Sequence, residues 1–298
     1  ALGHIKEIGL DKETIYTCYV TDYKRKLDGI VSLRTLVVSD PDKNIMDIVF
    51  EDVIYVETHD DQETVANIFK KYGFMALPVV DKEHRLTGII TFDDIMDVME
   101  DEATEDFQRM AAMVPSEEPY LDSGVITLAK QRIPWLMILM IGATITGGII
   151  TKFEDVLSSV VVLTAFIPML MDTGGNSGSQ SSTLVIRGLA TGDVELKDIW
   201  KVLWKEFRIS LVVGLSLATV NFVKNMLFDR VGLTVALTVS ITVATTVMLA
   251  KIVGGTLPLI AKKCKLDPAI MAGPLITTIV DALALSVYFA IASALLIK

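Results

Sequence analysis

Cysteine is nearly absent from this chain. The 298 residues hold only Cys18 and Cys264, too few and too far apart for a disulfide framework, which fits a reducing compartment. Histidine is as scarce, and His4, His59 and His84 make no metal-ligand spacing with either cysteine. A metal bound here is therefore expected to be a hard cation held by oxygen. Residue 1 is Ala, with no signal peptide and no initiator Met, and the chain reads as starting inside a domain. What residues 1–129 lack is base: 27 Asp and Glu face 12 Lys and Arg, a net charge of -15, whereas residues 130–298 carry 10 against 15, net +5. So acidic a first half argues against nucleic-acid binding and for attraction of cations. The length suits two domains, one soluble and one hydrophobic.

Long apolar runs fill the second half. Residues 133–151 give 19 positions without a charge and 231–250 give 20, each enough to cross a hydrocarbon core of about 30 Å. The stretch 156–186 carries one charge, Asp172, and is too long for a simple span. Residues 209–223 are uncharged and extendable by a snorkelling Lys224. Residues 268–297 carry one charge, Asp281. Five helices are predicted. With the acidic head inside, the inner segments hold eleven bases, among them Arg187, Lys201, Lys251 and Lys262, against Lys152, Lys224, Arg230 and Lys298 outside. This satisfies the positive-inside rule and puts the C-terminus outside. Trp200 and Trp204 point to an amphipathic segment at the inner interface.

A carboxylate at the bilayer centre costs at least about 2.5–3.5 kcal/mol, so Asp281 is a functional candidate by default; a protonated structural acid is the alternative. Thr277 sits one turn before it on the same helix face, and Gly273-Pro274 two turns before, where they permit close packing or a kink. The other polar patch, DTGGNSGSQSST at 172–183, offers oxygens from Asn176, Ser177, Ser179 and Gln180, or serves as a packing interface glued by hydrogen bonds.

The soluble half repeats itself at an offset of 59 residues. Asp22, Leu27 and Gly29 followed by Ile30-Val31-Ser32 match Asp81, Leu86 and Gly88 followed by Ile89-Ile90-Thr91. Each copy reads strand, turn, strand, then a helix start, and Thr91 with Asp94 makes a capping-box-like pair. From Asp93 to Asp106, eight of fourteen residues are acidic and none is basic. Asp94, Asp97, Asp101 and Glu105 fall on one helical stripe, where each like-charge pair destabilises by about 0.2–0.5 kcal/mol. A solvated acidic face and a divalent-ion sensor both account for the run.

The repeat, with LPVVD at 77–81 and GIITFDDI at 88–95, resembles a CBS-domain pair whose first module keeps only its latter part. Followed by an acidic helix and spans carrying PMLMDTGGNSGSQ and DPAIMAGPLITTIVD, it resembles the MgtE family of magnesium channels. The resemblance implies an α/β CBS-domain pair followed by an all-α five-helix transmembrane domain. Residues 1–38 would form the incomplete first module, 39–93 the second, 94–129 the acidic connecting helix and 130–298 the pore domain. It also implies a homodimer in the plasma (inner) membrane, head cytosolic, with its pore lined by the second and fifth membrane helices of both subunits. Asp281, the backbone carbonyl of Thr277 and Asn176 would face Mg²⁺ in that pore. Asp61, Glu63, Asp94, Asp97, Glu102, Glu105, Asp106 and Asp267 match the cytosolic sensor that closes it. Arg34 and Phe74, with Thr91 and Asp94 where the family holds a ribose, match a regulatory ATP site; the first copy has Thr35 in place of that Asp, and a nucleotide-free scaffold is the alternative. The implied function is Mg²⁺ import with no enzymatic step. A CBS-gated, ion-coupled transporter of divalent cations is the alternative, and an intramembrane aspartyl protease built on Asp172 and Asp281 a remoter one, since no GxGD-type motif surrounds either residue.

Overall fold

The computed structural model describes residues 1–116 and 118–296. They form two compact units, 1–104 and 105–298. The first runs α1 (Leu2–Ile8), β1 (Thr17–Thr21), β2 (Leu27–Ser32), α2 (Leu33–Val38), β3 (Val56–Glu57), α3 (Gln62–Tyr72), β4 (Ala76–Val80) and β5 (Leu86–Thr91), then enters α4 (Phe92–Met110), within which the division falls.

The repeat holds down to its hydrogen bonds. In β1–β2, Thr17 pairs with Ser32 and a bulge follows Val20; in β4–β5, Ala76 pairs with Thr91 and a bulge follows Val79. Each tight turn is closed by an aspartate. Asp22 Oδ1 accepts from the N–H groups of Lys24 and Lys26, and Asp81 Oδ1 from those of Glu83 and Arg85. Arg25 and His84, 59 residues apart, both take a positive φ, at 67° and 62°. The two turns then join: Leu27 N–H donates to His84 O, and Leu86 N–H to Arg25 O. The second module is the fuller one. Its β3 lies parallel to β4, and its core gathers Val56, Val65, Phe69, Leu77 and Ile95.

The second unit contains α5 (Val125–Lys152), α6 (Glu154–Ser159), α7 (Ile167–Thr191), α8 (Ile199–Leu227), α9 (Leu233–Lys263) and α10 (Gly273–Leu296). Among the described residues four helices are long and apolar enough to cross a membrane: α5, α8 with its leading 3₁₀ turn, α9 and α10. Helix α7 matches them in length, but its small polar residues keep it outside that set.

Several boundaries differ from expectation. The stretch 156–186 is not one helix. Helix α6 and a 3₁₀ turn, Val161–Phe166, precede α7, which starts where Pro168 occupies the first turn; proline fits that position because its missing N–H is not needed there. The segment 209–223 and the tryptophans ahead of it form one helix, α8, with Trp200 and Trp204 exposed on its side. Gly273-Pro274 produces no kink. Gly273 (φ 34°) begins α10, and residues 268–271 form a separate 3₁₀ turn.

Lys251 does not sit at an inner helix end. It is 4% exposed in the middle of α9, which removes it from the inner tally and leaves ten bases there. Lys298, counted on the outer side, lies outside the described residues.

Candidate functional site

The polar residues of α7 divide by face. Gly174, Gly175, Ser177, Gly178, Ser181 and Ser182 are buried, whereas Asp172, Asn176, Gln180 and Thr183 form an exposed stripe. The buried face exists because side chains have been removed from it. A Cβ on Gly175 would stand 2.9 Å from Thr277 Cγ2, and one on Gly178 at 2.9 Å from Ile276. Glycine thus lets α7 lie directly on α10. Ser182 Oγ donates to Met271 O at 2.5 Å, pinning α7 to the turn before α10.

This contact brings the predicted pore residues to one face. Asp281 is half-buried on α10, with Thr277 one turn earlier and also half-buried, and Asp281 lies near enough to Asp172 of α7 for their charges to interact. The hydroxyls of Thr277 and Thr278 both donate to Pro274 O. Their oxygens keep the capacity to accept. Among the described residues no three Asp, Glu, His or Cys side chains come together in a way that would hold a metal ion. A single chain therefore presents two carboxylates and neighbouring neutral oxygens on an open surface, not a closed cage.

The predicted sensor residues are spread over both units, and most have local partners. Asp61 Oδ1 caps α3, accepting from the N–H groups of Glu63 at 3.0 Å and Thr64 at 3.4 Å. Asp61→Ala should destabilise α3 by about 1 kcal/mol whether or not an ion is present. Faster hydrogen exchange at the Glu63 and Thr64 amides in divalent-free buffer would register that loss; unchanged exchange would show that the cap does not form.

Asp94 Oδ2 accepts from the Thr91 hydroxyl at 2.6 Å and the Thr91 N–H at 3.1 Å, which is the return half of the expected capping-box-like pair. The Thr91 hydroxyl and then its N–H hold the Asp94 carboxyl below the usual range. Glu102 accepts from Gln62 Nε2 at 2.9 Å, and Asp97 is exposed. Glu63 lies in the first turn of α3 and Asp106 near the end of α4, half-buried. Glu105 and Asp267 share one partner, Arg109.

Of the residues assigned to ATP, the structure joins Thr91 to Asp94. Phe74 stacks on Tyr72 at 5.4 Å, and Arg34 is exposed on α2. A cavity of about 480 Å³ in the same unit is lined by Ile15, Tyr19, Leu36, Ile45 and Leu86 among others, and by none of these four.

Sequence reasoning missed one polar cluster altogether. Glu206 of α8, 6% exposed, accepts from the Ser181 hydroxyl of α7 at 2.6 Å, and Lys251 Nζ of α9 lies 3.5 Å from the same Oγ. A serine on the buried face of α7 thus stands between two buried charges of opposite sign. The signal was there: Glu206 lies among the bases of α8, and Lys251 interrupts an apolar run.

Comparison with known proteins gives two matched regions. Residues 167–291 match the MgtE family, described as a divalent cation transporter, and residues 45–101 match a CBS domain. Over 301 aligned residues, 99% of the chain, it is 40% identical to the magnesium transporter MgtE of Thermus thermophilus. It is 36% identical to that of Bacillus subtilis over 297 residues, again 99% of the chain. The chain spans 65% and 64% of the lengths of these two relatives. A crystal structure of the cytosolic domain of the Mg²⁺ channel MgtE in complex with ATP is 47% identical over 33% of the chain and 39% of its own, with a TM-score of 0.32.

Proposed function

Because the chain belongs to the MgtE family, we propose that it carries Mg²⁺ across a membrane as a homodimer, along a path formed by α7 and α10 of both subunits. The observation that carries this reading is the exposed stripe of Asp172, Asn176 and Gln180 on α7 beside the half-buried Asp281 of α10. At membrane depth such a face must meet water or another copy, because lipid cannot satisfy it. A two-fold axis beside this face would double the carboxylates around a shared path. Mg²⁺ dehydrates reluctantly and keeps several waters. A ring with few acids and several neutral oxygens attracts the hydrated ion without gripping it too tightly to release.

The acidic head and α4 supply the control. When cytosolic Mg²⁺ is high, ions bridging these carboxylates favour a compact closed dimer; when it falls, repulsion between them favours opening. A ligand that binds one state better shifts the population toward it, and pore state and sensor affinity are then reciprocally linked. Under this reading Asp94 serves the head as a cap and either the sensor or a nucleotide as a ligand. The head faces the cytosol and the C-terminus the other side, in keeping with the excess of bases on inner segments.

Flux measured in vesicles holding the purified chain tests this reading, with Mg²⁺, Ca²⁺, Mn²⁺ or Co²⁺ as cargo and with or without proton and sodium gradients. Mg²⁺ flux that needs no second gradient and stops at high Mg²⁺ on the head side is the expected result. Strict dependence on a proton or sodium gradient would instead establish the coupled transporter. Neutralising Glu102, Glu105 and Asp106 together should raise the Mg²⁺ needed for shut-off, and unaltered inhibition would reject their sensor role.

A further inference from the structure

Arg109 is the one base between Arg85 and Lys130, a stretch otherwise crowded with acids. It sits in the last turn of α4, and its guanidinium reaches two carboxylates at once. One is Glu105, a turn earlier on the same helix; the other is Asp267, 158 positions away. Asp267 is placed where it matters for the pore helices. Its Oδ1 accepts from Ala269 N–H at 2.8 Å and caps the 3₁₀ turn Pro268–Met271, which runs straight into α10. The same turn is bonded to α7 through Ser182. The end of α4 also touches the start of α10 directly, since a Cβ on Gly273 would stand 2.8 Å from Met110 O.

We infer that Arg109 is a tethered cation that competes with the regulatory divalent ion for Glu105 and Asp267, and so sets the concentration at which the ion acts. The inference rests on the reading of those two carboxylates as sensor ligands. Both are acceptor-only when ionised, and a guanidinium bound to them occupies oxygens that an ion or its water shell would take. One positive charge leaves the pair at net -1, whereas a divalent ion neutralises it, so the exchange is favourable once the ion is concentrated enough. The guanidinium uses its two terminal nitrogens for these carboxylates. Among the described residues its Nε is buried without a hydrogen-bond partner, whereas buried polar groups are normally paired. The three side chains are 25–34% exposed, so water and ions reach them.

The test is the head-side Mg²⁺ dependence of flux through the full chain in vesicles, for the wild type, Arg109→Gln, Arg109→Lys, Glu105→Gln and Asp267→Asn. Arg109→Gln should lower the half-inhibiting Mg²⁺ concentration by about three- to fivefold, the worth of a partly exposed ion pair no longer competing. Arg109→Lys keeps the charge and should restore a value near the wild type, which a merely steric role of the side chain would not do. Glu105→Gln and Asp267→Asn should move the value upward. If these two change nothing, the sensor reading itself fails and the competitor falls with it. If they shift it upward while Arg109→Gln leaves it unchanged or raises it, the sensor stands and the competition alone is overturned.

Discussion

Asp281→Ala is expected to abolish Mg²⁺ flux in reconstituted vesicles while leaving the protein folded. The carboxylate lies in the interior of α10 and is half-buried against a face that already carries Asp172. Holding it ionised at membrane depth costs free energy, so it is a poor choice for structural reasons alone. Alanine removes that cost, and the neighbouring core of Ile276, Val280 and Ala284 stays filled; folding should therefore be unharmed or slightly improved. On the proposed reading, what alanine cannot supply is the charge that would draw a dication into the membrane. Asp281→Asn separates the two contributions, because it keeps an oxygen donor and loses the charge. Flux lost in both variants, with elution on size-exclusion chromatography unchanged, assigns the effect to charge. Robust flux from Asp281→Ala would sink the pore assignment.

The second large effect is on packing. Helices α7 and α9 cross at Gly178 and Gly254 so closely that a Cβ on Gly254 would stand 2.2 Å from Gly178 O. That atom is backbone, and α7 cannot retreat: Gly175 and Gly178 are already against α10, and Ser182 is bonded to Met271. Gly254→Val should therefore cost at least the 1–3 kcal/mol or so typical of overpacking, and more if the crossing is forced apart. The expected result is a large fall in the thermal unfolding temperature of the detergent-solubilised protein, with loss of flux. Gly147→Ala and Gly148→Ala on α5 are the matching controls, since among the described residues nothing lies within 4 Å of a Cβ at either position. A Gly254→Val variant as stable as these would show that the crossing is looser than the structure has it.

The two effects arise on different links of the same chain of causes. Glycine at 175, 178 and 254 permits backbone contact; the contact presses α7 onto α10; and only then do Asp172, Asn176 and Asp281 share a face. The buried group of Ser181, Glu206 and Lys251 ties α8 and α9 to the same helix. Its polar atoms gain from one another in a medium that cannot hydrate them, though such groups mainly penalise alternatives and add little net stability.

How much of this was legible beforehand follows the range of the forces involved. The 59-residue repeat carried over in full, through the paired bulges and the Asp-closed turns with positive φ at Arg25 and His84. A hairpin's register and turn are set within a few residues, and the same residues occur twice. The apolar spans were visible for a similar reason, since length and hydropathy are properties of one segment. Helix ends were less legible: α7 begins at Ile167 with Pro168 in its first turn, inside a long apolar stretch, and α10 begins at Gly273.

Other features were assembled only by the folded chain. Lys251 counts among the inner bases in sequence and Glu206 lies among the bases of α8, yet both are buried beside Ser181 in space. The acids of α4 form one charged run, yet Glu105 is paired through Arg109 with Asp267, far along the chain. By itself the sequence determined the repeat with its hairpins, the apolar spans and the oxygen-bearing residues within them. Tertiary structure decided which charges face each other, because Coulomb energy and desolvation depend on distance and burial, and both are set by helices remote in sequence.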